Sequence, residues 1–394
     1  MNDVAALEEK LRLPPIWPLQ PIGESYNVYG IAEIARDYIG MPYVPRLIPG
    51  FWIHGWQGDW YHLHPEVICP HRPSEKELLK WTPRESQAAY LRSQGYVNAK
   101  AIGHPITYLP EPRTTRRPGS LLVMPCRSWP GFKRDTDGQY AAAIHELSGQ
   151  FSEVVICISA QSYDAGDWVD SFQKYGFRMV RGASVRDRNG FHRMAQLLSQ
   201  FEYVTTNGTG SQAAYAAYFG AKTSVWGPEP AVPPPDKPRR LFLALPHLRE
   251  EIHKANSVEE LLRHEPWLGV HPLEARANVE WARQALGAEN RLPPAELQRE
   301  FQWLPEQLRE VNLEIEALHT NAHAAQKELI SKLKTATQEA EARNAELEKL
   351  KSKLAKLEKA QAKAEKELEK LRPIANSRTW KLAKPLYKLE RRGK

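Results

Sequence analysis

The strongest chemical signal in the chain lies at residues 204–215. Val204, Thr205 and Thr206 end an apolar run, Asn207-Gly208-Thr209-Gly210-Ser211 form a turn, and Gln212-Ala213-Ala214-Tyr215 open a helical stretch. A strand that runs through such a turn into a helix leaves free N–H groups at the helix start, and the helix dipole there favours an anion. Gly208 and Gly210 allow close backbone approach, while Thr209 and Ser211 add hydroxyl donors. The chemistry implied is a cradle for the phosphates of a nucleotide. The same residues also fit a plain capped turn. No Gly-Lys-Ser/Thr follows, so this is not a Walker loop. A second loop, Met124-Pro125-Cys126-Arg127-Ser128, follows another apolar run. The planar fork of Arg127 suits a diphosphate or a carboxylate, with Ser128 beside it; a surface arginine is the alternative.

Proton transfer has fewer candidates. Histidine is the side chain whose ordinary pKa suits a general base, which makes His54, between Ile53 and Gly55-Trp56, a candidate; a packed histidine is the competing reading. Glu24 and Asp59 are the carboxylate alternatives. Gly103 and His104 stand at the hinge side of the first half, where His104 is either ligand-facing or structural. No metal spacing is convincing. In an extended chain His62 and His64 point to opposite faces, and Asp135-Thr136-Asp137 precedes a helix and reads as a cap.

These residues need a parallel sheet to bring them together. Apolar runs at 120–124, 154–159, 178–181, 203–206 and 222–226 alternate with helical stretches at 136–149, 167–176, 191–200 and 212–219. That alternation is the signature of βαβ units. Residues 13–110 read as a smaller α/β unit, with helices at 29–38 and 83–94 and extended segments at 44–53, 66–69 and 99–102. Three prolines and three basic residues at 110–119 mark a linker. The expected organisation is therefore α/β. An N-terminal Rossmann-like domain spans 1–110, a linker 111–119, a C-terminal Rossmann-like domain 120–304, a coiled coil 305–372 and a basic amphipathic tail 373–394.

The coiled coil is read from apolar residues at alternating three and four spacing, among them Leu329, Leu333, Leu347, Leu350, Leu354, Leu357, Leu368 and Leu371. A single solvated helix is the alternative. Pro373 is expected to end the helix. In the tail, Arg378, Lys381, Lys384, Lys388, Arg391, Arg392 and Lys394 outnumber Glu390, so that segment supplies nearly all of the net charge of +7. The rest is near neutral, which argues against a nucleic-acid partner. Trp380, Leu382, Leu386 and Tyr387 between the cations suit an anionic membrane surface.

The 394 residues suffice for two or three domains, and 42% hydrophobic content is enough to build their cores. Cys69, Cys126 and Cys157 are too few and too far apart for a disulfide scaffold or a zinc site. The charged first residues lack a signal core, and no run of about 18 apolar residues occurs. A cytoplasmic location is expected, with the tail able to reach the inner face of the cell membrane.

Three stretches together resemble glycosyltransferases of the GT-B architecture, particularly bacterial enzymes that build capsule, O-antigen and lipopolysaccharide. The first is Trp81-Thr82-Pro83 through Gly95 and then Ala101-Ile102-Gly103-His104-Pro105. The second is Phe201 through Ser211, with Lys222 to Pro228 behind it. The third is Ser377-Arg378-Thr379-Trp380-Lys381-Leu382-Ala383-Lys384-Pro385-Leu386. The resemblance implies transfer of a hexose or an acidic sugar from a nucleotide-sugar co-substrate to a growing glycan, without a metal or other cofactor. It puts Arg127, Ser128 and Asn207 to Ser211 on the donor, Glu229 on the ribose and His54 at the reacting centre. It also implies self-association through the coiled coil and a glycan or lipid-linked glycan as acceptor. Two departures stand out. Gln212 occupies a position where such enzymes are expected to carry histidine, and their Glu-x7-Glu donor signature is missing. An inactive scaffold and a sugar-nucleotide epimerase are the rival expectations.

Overall fold

Two parallel sheets organise the first three quarters of the chain in a computed structural model. It describes residues 4–19, 27–42, 48–69, 75–126, 135–229 and 245–377; of these, the side chains of 135–136, 305–316, 318–319 and 374–376 are outside the description. The smaller sheet holds β1 (Gly50–Trp52), β2 (Leu79–Thr82) and β3 (Ala99–Ala101) in that order. The larger holds β4 (Arg117–Val123), β5 (Glu153–Ile158), β6 (Arg178–Arg181), β7 (Phe201–Thr206) and β8 (Lys222–Val225) in the order β6-β5-β4-β7-β8. The helices are α1 (Val4–Lys10), α2 (Ile31–Ile39), α3 (Pro65–Ile68), α4 (Glu85–Ser93), α5 (Asp135–Ser148), α6 (Ala160–Asp164), α7 (Val169–Gln173), α8 (Gly190–Leu198) and α9 (Ser211–Tyr218). They continue with α10 (Arg249–Ala255), α11 (Val258–His264), α12 (Val279–Ala285), α13 (Pro294–Glu300) and α14 (Pro305–Asn376).

The larger sheet is buried on both faces, which is why its strands read as unbroken apolar runs. Leu122, Val155 and Cys157 face one core, while Leu121, Val123, Ile156 and Ile158 face a second core with Tyr140, Ile144 and Phe172. The strand order has a functional consequence. From β4 the chain builds outward through β5 to β6, then returns to the other side of β4 as β7. The connections leaving β4 and β7 therefore diverge, and a crevice opens at the carboxyl ends of the strands.

Residues Met1–Arg309 form one compact unit and Glu310–Lys394 a second. Within the first unit the two sheets share a core, and both ends of this stretch cross between them. Near the N-terminus, α1 packs on β6, where Glu8 bonds both the backbone and the side chain of Arg181 and pairs with Arg193 at 3.3 Å. At its other end, Phe301 stacks on Trp81 of β2, whose indole N–H donates to Glu300 at 2.9 Å.

Two local expectations are corrected. Residues 66–69 belong to no strand. Pro65 supplies a fixed φ at the first helical position and His64 Nδ1 accepts the Glu66 N–H, so the short apolar run winds as α3. Nor does Pro373 end the long helix, which continues to Asn376. A proline removes one backbone donor, a loss the last turn tolerates better than a helix interior. In the second unit, Leu329, Leu333, Leu347, Leu350, Leu354, Leu357, Leu368 and Leu371 of α14 are all 50% exposed or more. The tail at 378–394 lies outside the described residues.

Candidate functional site

A cavity of about 330 Å³ fills the crevice. Its floor comes from the strand ends: Met124 and Pro125 after β4, Cys157 and Ser159 at the end of β5, Gly182 and Ala183 after β6. Ser211, Gln212 and Tyr215 of α9 form one wall. Opposite them stand Tyr29, His54 and Gly55 from the part of the chain that carries the smaller sheet. The two sides touch directly, because the Trp56 N–H donates to Ser211 Oγ at 2.8 Å. Gly55 lies so close that a β-carbon there would stand 3.6 Å from the same oxygen.

The turn after β7 is held firmly from behind. Asn207 is 1% exposed and its amide spans two loops: Oδ1 accepts the Cys126 N–H at 2.9 Å and Nδ2 donates to Pro228 O at 2.9 Å. Asn207 thus fixes the loops after β4 and β8 around the turn and is not itself in the cavity wall. Gly208 is buried, and the Thr209 hydroxyl donates to Asn256 O at 2.7 Å. Gly210 is the cap of α9, where the Gln212 side chain folds back over it. A β-carbon on Gly210 would come within 2.2 Å of Gln212 Oε1, so a larger residue there would push the Gln212 side chain off the turn. Gln212 Nε2 in turn donates to Thr206 Oγ1 at 3.0 Å. Of the five turn residues, Ser211 is the one that lines the cavity.

The remaining candidates separate. His54 lines the cavity, its ring 5.4 Å from that of Tyr29. Glu229 is exposed and accepts the Val258 N–H at 3.0 Å, which places it at the start of α11 beside the Ser257 cap. Gly103 adopts φ +78°, and a β-carbon on it would press on Gly287 O at 2.9 Å. His104 is fully buried behind the wall. Its Nδ1 accepts the Ile106 N–H at 3.1 Å, so the neutral ring carries its hydrogen on Nε2, 3.0 Å from the Tyr215 hydroxyl. That hydroxyl donates to His54 O at 2.6 Å. Burial holds the His104 pKa down to about 3, the nearby His54 carbonyl working weakly the other way. His104 is therefore a neutral strut that positions the His54 backbone. Asp59, the alternative carboxylate, pairs with Arg84 at 3.0 Å outside this cavity. Glu24, Arg127 and Ser128 lie outside the described residues.

Sequence reasoning missed Tyr29, Ser159 and Tyr215. Tyr29 sits at φ +56°, rare for a bulky residue, with its N–H on Val185 O and its carbonyl accepting the Phe191 N–H. The adjoining Gly30 was the available signal, since a β-carbon there would collide with Arg188 O. The Cys157 thiol lies packed in the cavity floor, and burial pushes its pKa up to about 12.

No protein-family model matches the chain, and no curated protein matches its sequence. No helix among the described residues is long and apolar enough to cross a membrane.

Proposed function

We propose that the chain is a glycosyltransferase of GT-B type, which moves a sugar from a nucleotide donor to a growing cell-surface glycan. One observation carries the reading: the start of α9 and the carboxyl ends of β4, β5 and β6 share a single cavity with His54 and Gly55. The donor's diphosphate would lie at the start of α9, where the helix dipole and the first-turn N–H groups stabilise the leaving phosphate. Arg127 and Ser128, which follow β4 in sequence, would add to that charge stabilisation. The acceptor would enter beside Tyr29, with His54 taking its hydroxyl proton. Two Rossmann-like domains, one per sheet, are the architecture this reading assumes.

The exposed leucines of α14 support self-association as a coiled coil. The basic tail would hold the enzyme at the inner face of the cell membrane. A second reading, an inactive scaffold assembled through α14, is favoured by Gln212, whose side chain lies across the turn where phosphate would sit.

The test is to incubate the full chain with labelled nucleotide sugars, with and without lipid-linked glycan. Label that enters the glycan and releases nucleotide supports the transferase. An isomerised sugar nucleotide formed without acceptor points to an epimerase. A stable fold that neither binds nucleotide nor turns it over points to the scaffold.

A further inference from the structure

A second concavity, of about 610 Å³, lies beyond the Trp56 backbone. Three tryptophans shape it. Trp56 stands edge-on to Trp60 at 6.0 Å and to Trp281 at 5.4 Å, and Trp60 stacks on His264 at 4.4 Å with the rings 4° from parallel. The Trp60 indole donates to Ala255 O at 3.2 Å, which locks the ring. Planar polar groups rim these rings: Asp59, Glu265, Gln284, Glu289 and Asn290. Arg84 is already paired with Asp59, and the Ser86 hydroxyl donates to the same carboxylate at 2.9 Å.

The chemistry of this groove selects its ligand. Indole faces offer large apolar area in rigid positions. Carboxylates and amides accept and donate hydrogen bonds side by side, as neighbouring hydroxyls on a sugar ring require. The rim acids outnumber the cations, so a phosphate or a uronic acid is disfavoured. We propose that this groove binds a neutral hexose unit of an oligosaccharide, with Trp281 and the part of Trp60 that His264 does not cover against the C–H groups of the ring and the rim groups on its hydroxyls. Trp56 joins the groove to the cavity: its ring lines the groove while its N–H is bonded to Ser211 at the start of α9. The groove is thus placed to hold the acceptor glycan at a distance from the reacting end, an assignment of role that rests on the transferase reading.

The experiment is saturation-transfer NMR on the full chain with a panel of neutral oligosaccharides built from glucose, galactose, mannose, rhamnose and N-acetylhexosamines. Expected is binding on the order of millimolar or tighter by at least one of them, with transfer strongest at ring C–H protons. Trp60→Ala and Trp281→Ala should each weaken it about tenfold. Glu289→Ala alters an exposed group, so it should keep the fold and weaken binding about threefold. Uridine, as a stacking control, should not compete. The proposal is overturned if no member of the panel binds, if all three variants bind as the wild type does, or if uridine displaces the sugar. UDP and CMP affinities measured on the same samples separate the two ideas. Sugar binding without nucleotide binding keeps the groove and removes the transferase; nucleotide binding without sugar binding does the reverse.

Discussion

Leucines behave oppositely in the two units of this protein. In Met1–Arg309, Leu91, Leu121, Leu122 and Leu198 are 0% exposed, whereas in the second unit Leu329 and Leu333 of α14 are 69% and 68% exposed. The first set supplies its own partners, since side chains from both sheets and their helices close around it. The second set has seam spacing and no burial within the described part of the helix itself, which is what a heptad pattern looks like in a single copy. The two regions thus differ in whether their leucines find partners among the described residues.

The largest effect that sharpens this contrast is expected in the first core. Trp81 is 0% exposed, stacked on Phe301 and edge-on to Trp52. Trp81→Ala should lower the stability of the compact unit by about 3–5 kcal/mol, read from chemical denaturation. In α14, replacing Leu347, Leu350, Leu354 and Leu357 together by Ala should leave that unit's melting unchanged and convert the protein to monomers in sedimentation. Wild-type protein that already sediments as a monomer would break the comparison, leaving a solvated helix.

A smaller effect concerns His104. Its folded pKa of about 3 lies below the ordinary histidine value, so between roughly pH 6.5 and 3 the unfolded chain binds a proton that the folded chain does not. Stability contributed by this site is thus full above pH 6.5 and falls as the solution is acidified, by up to about 1.4 kcal/mol per pH unit. In His104→Asn, which keeps a cap acceptor for Ile106, the acid-side slope should be shallower by that amount. Equal slopes would mean that the ring is already charged in the fold.

The larger sheet was legible because strands buried on both faces are written as continuous apolar runs. β2 was not, because Lys80 and Thr82 are polar and yet 0% exposed. Lys80 is accommodated by Cys69 Sγ at 3.6 Å and by the Tyr96 ring at 5.1 Å, contacts that no local pattern announces. Residues 66–69 were ambiguous, since four apolar-rich residues fit either period and the decisive sign was Pro65. The turn at 207–211 was legible as a turn, but not the division of labour within it: Asn207 and Thr209 hold loops in place, while Ser211 and Gln212 face the cavity. Tyr29 and Tyr215 reach that cavity from 186 positions apart, a proximity only folding creates.

The central claim, that the cavity at the start of α9 receives a nucleotide's phosphates, is tested most directly by calorimetric titration of the full chain with UDP, GDP, CDP and CMP. The variant to compare is Ser211→Asp, whose carboxylate can still accept the Trp56 N–H and suits the helix dipole but repels phosphate. The account predicts saturable binding of at least one nucleotide by the wild type and a loss of about tenfold or more in the variant. Equal affinity in the two proteins, or no binding by either, would contradict it.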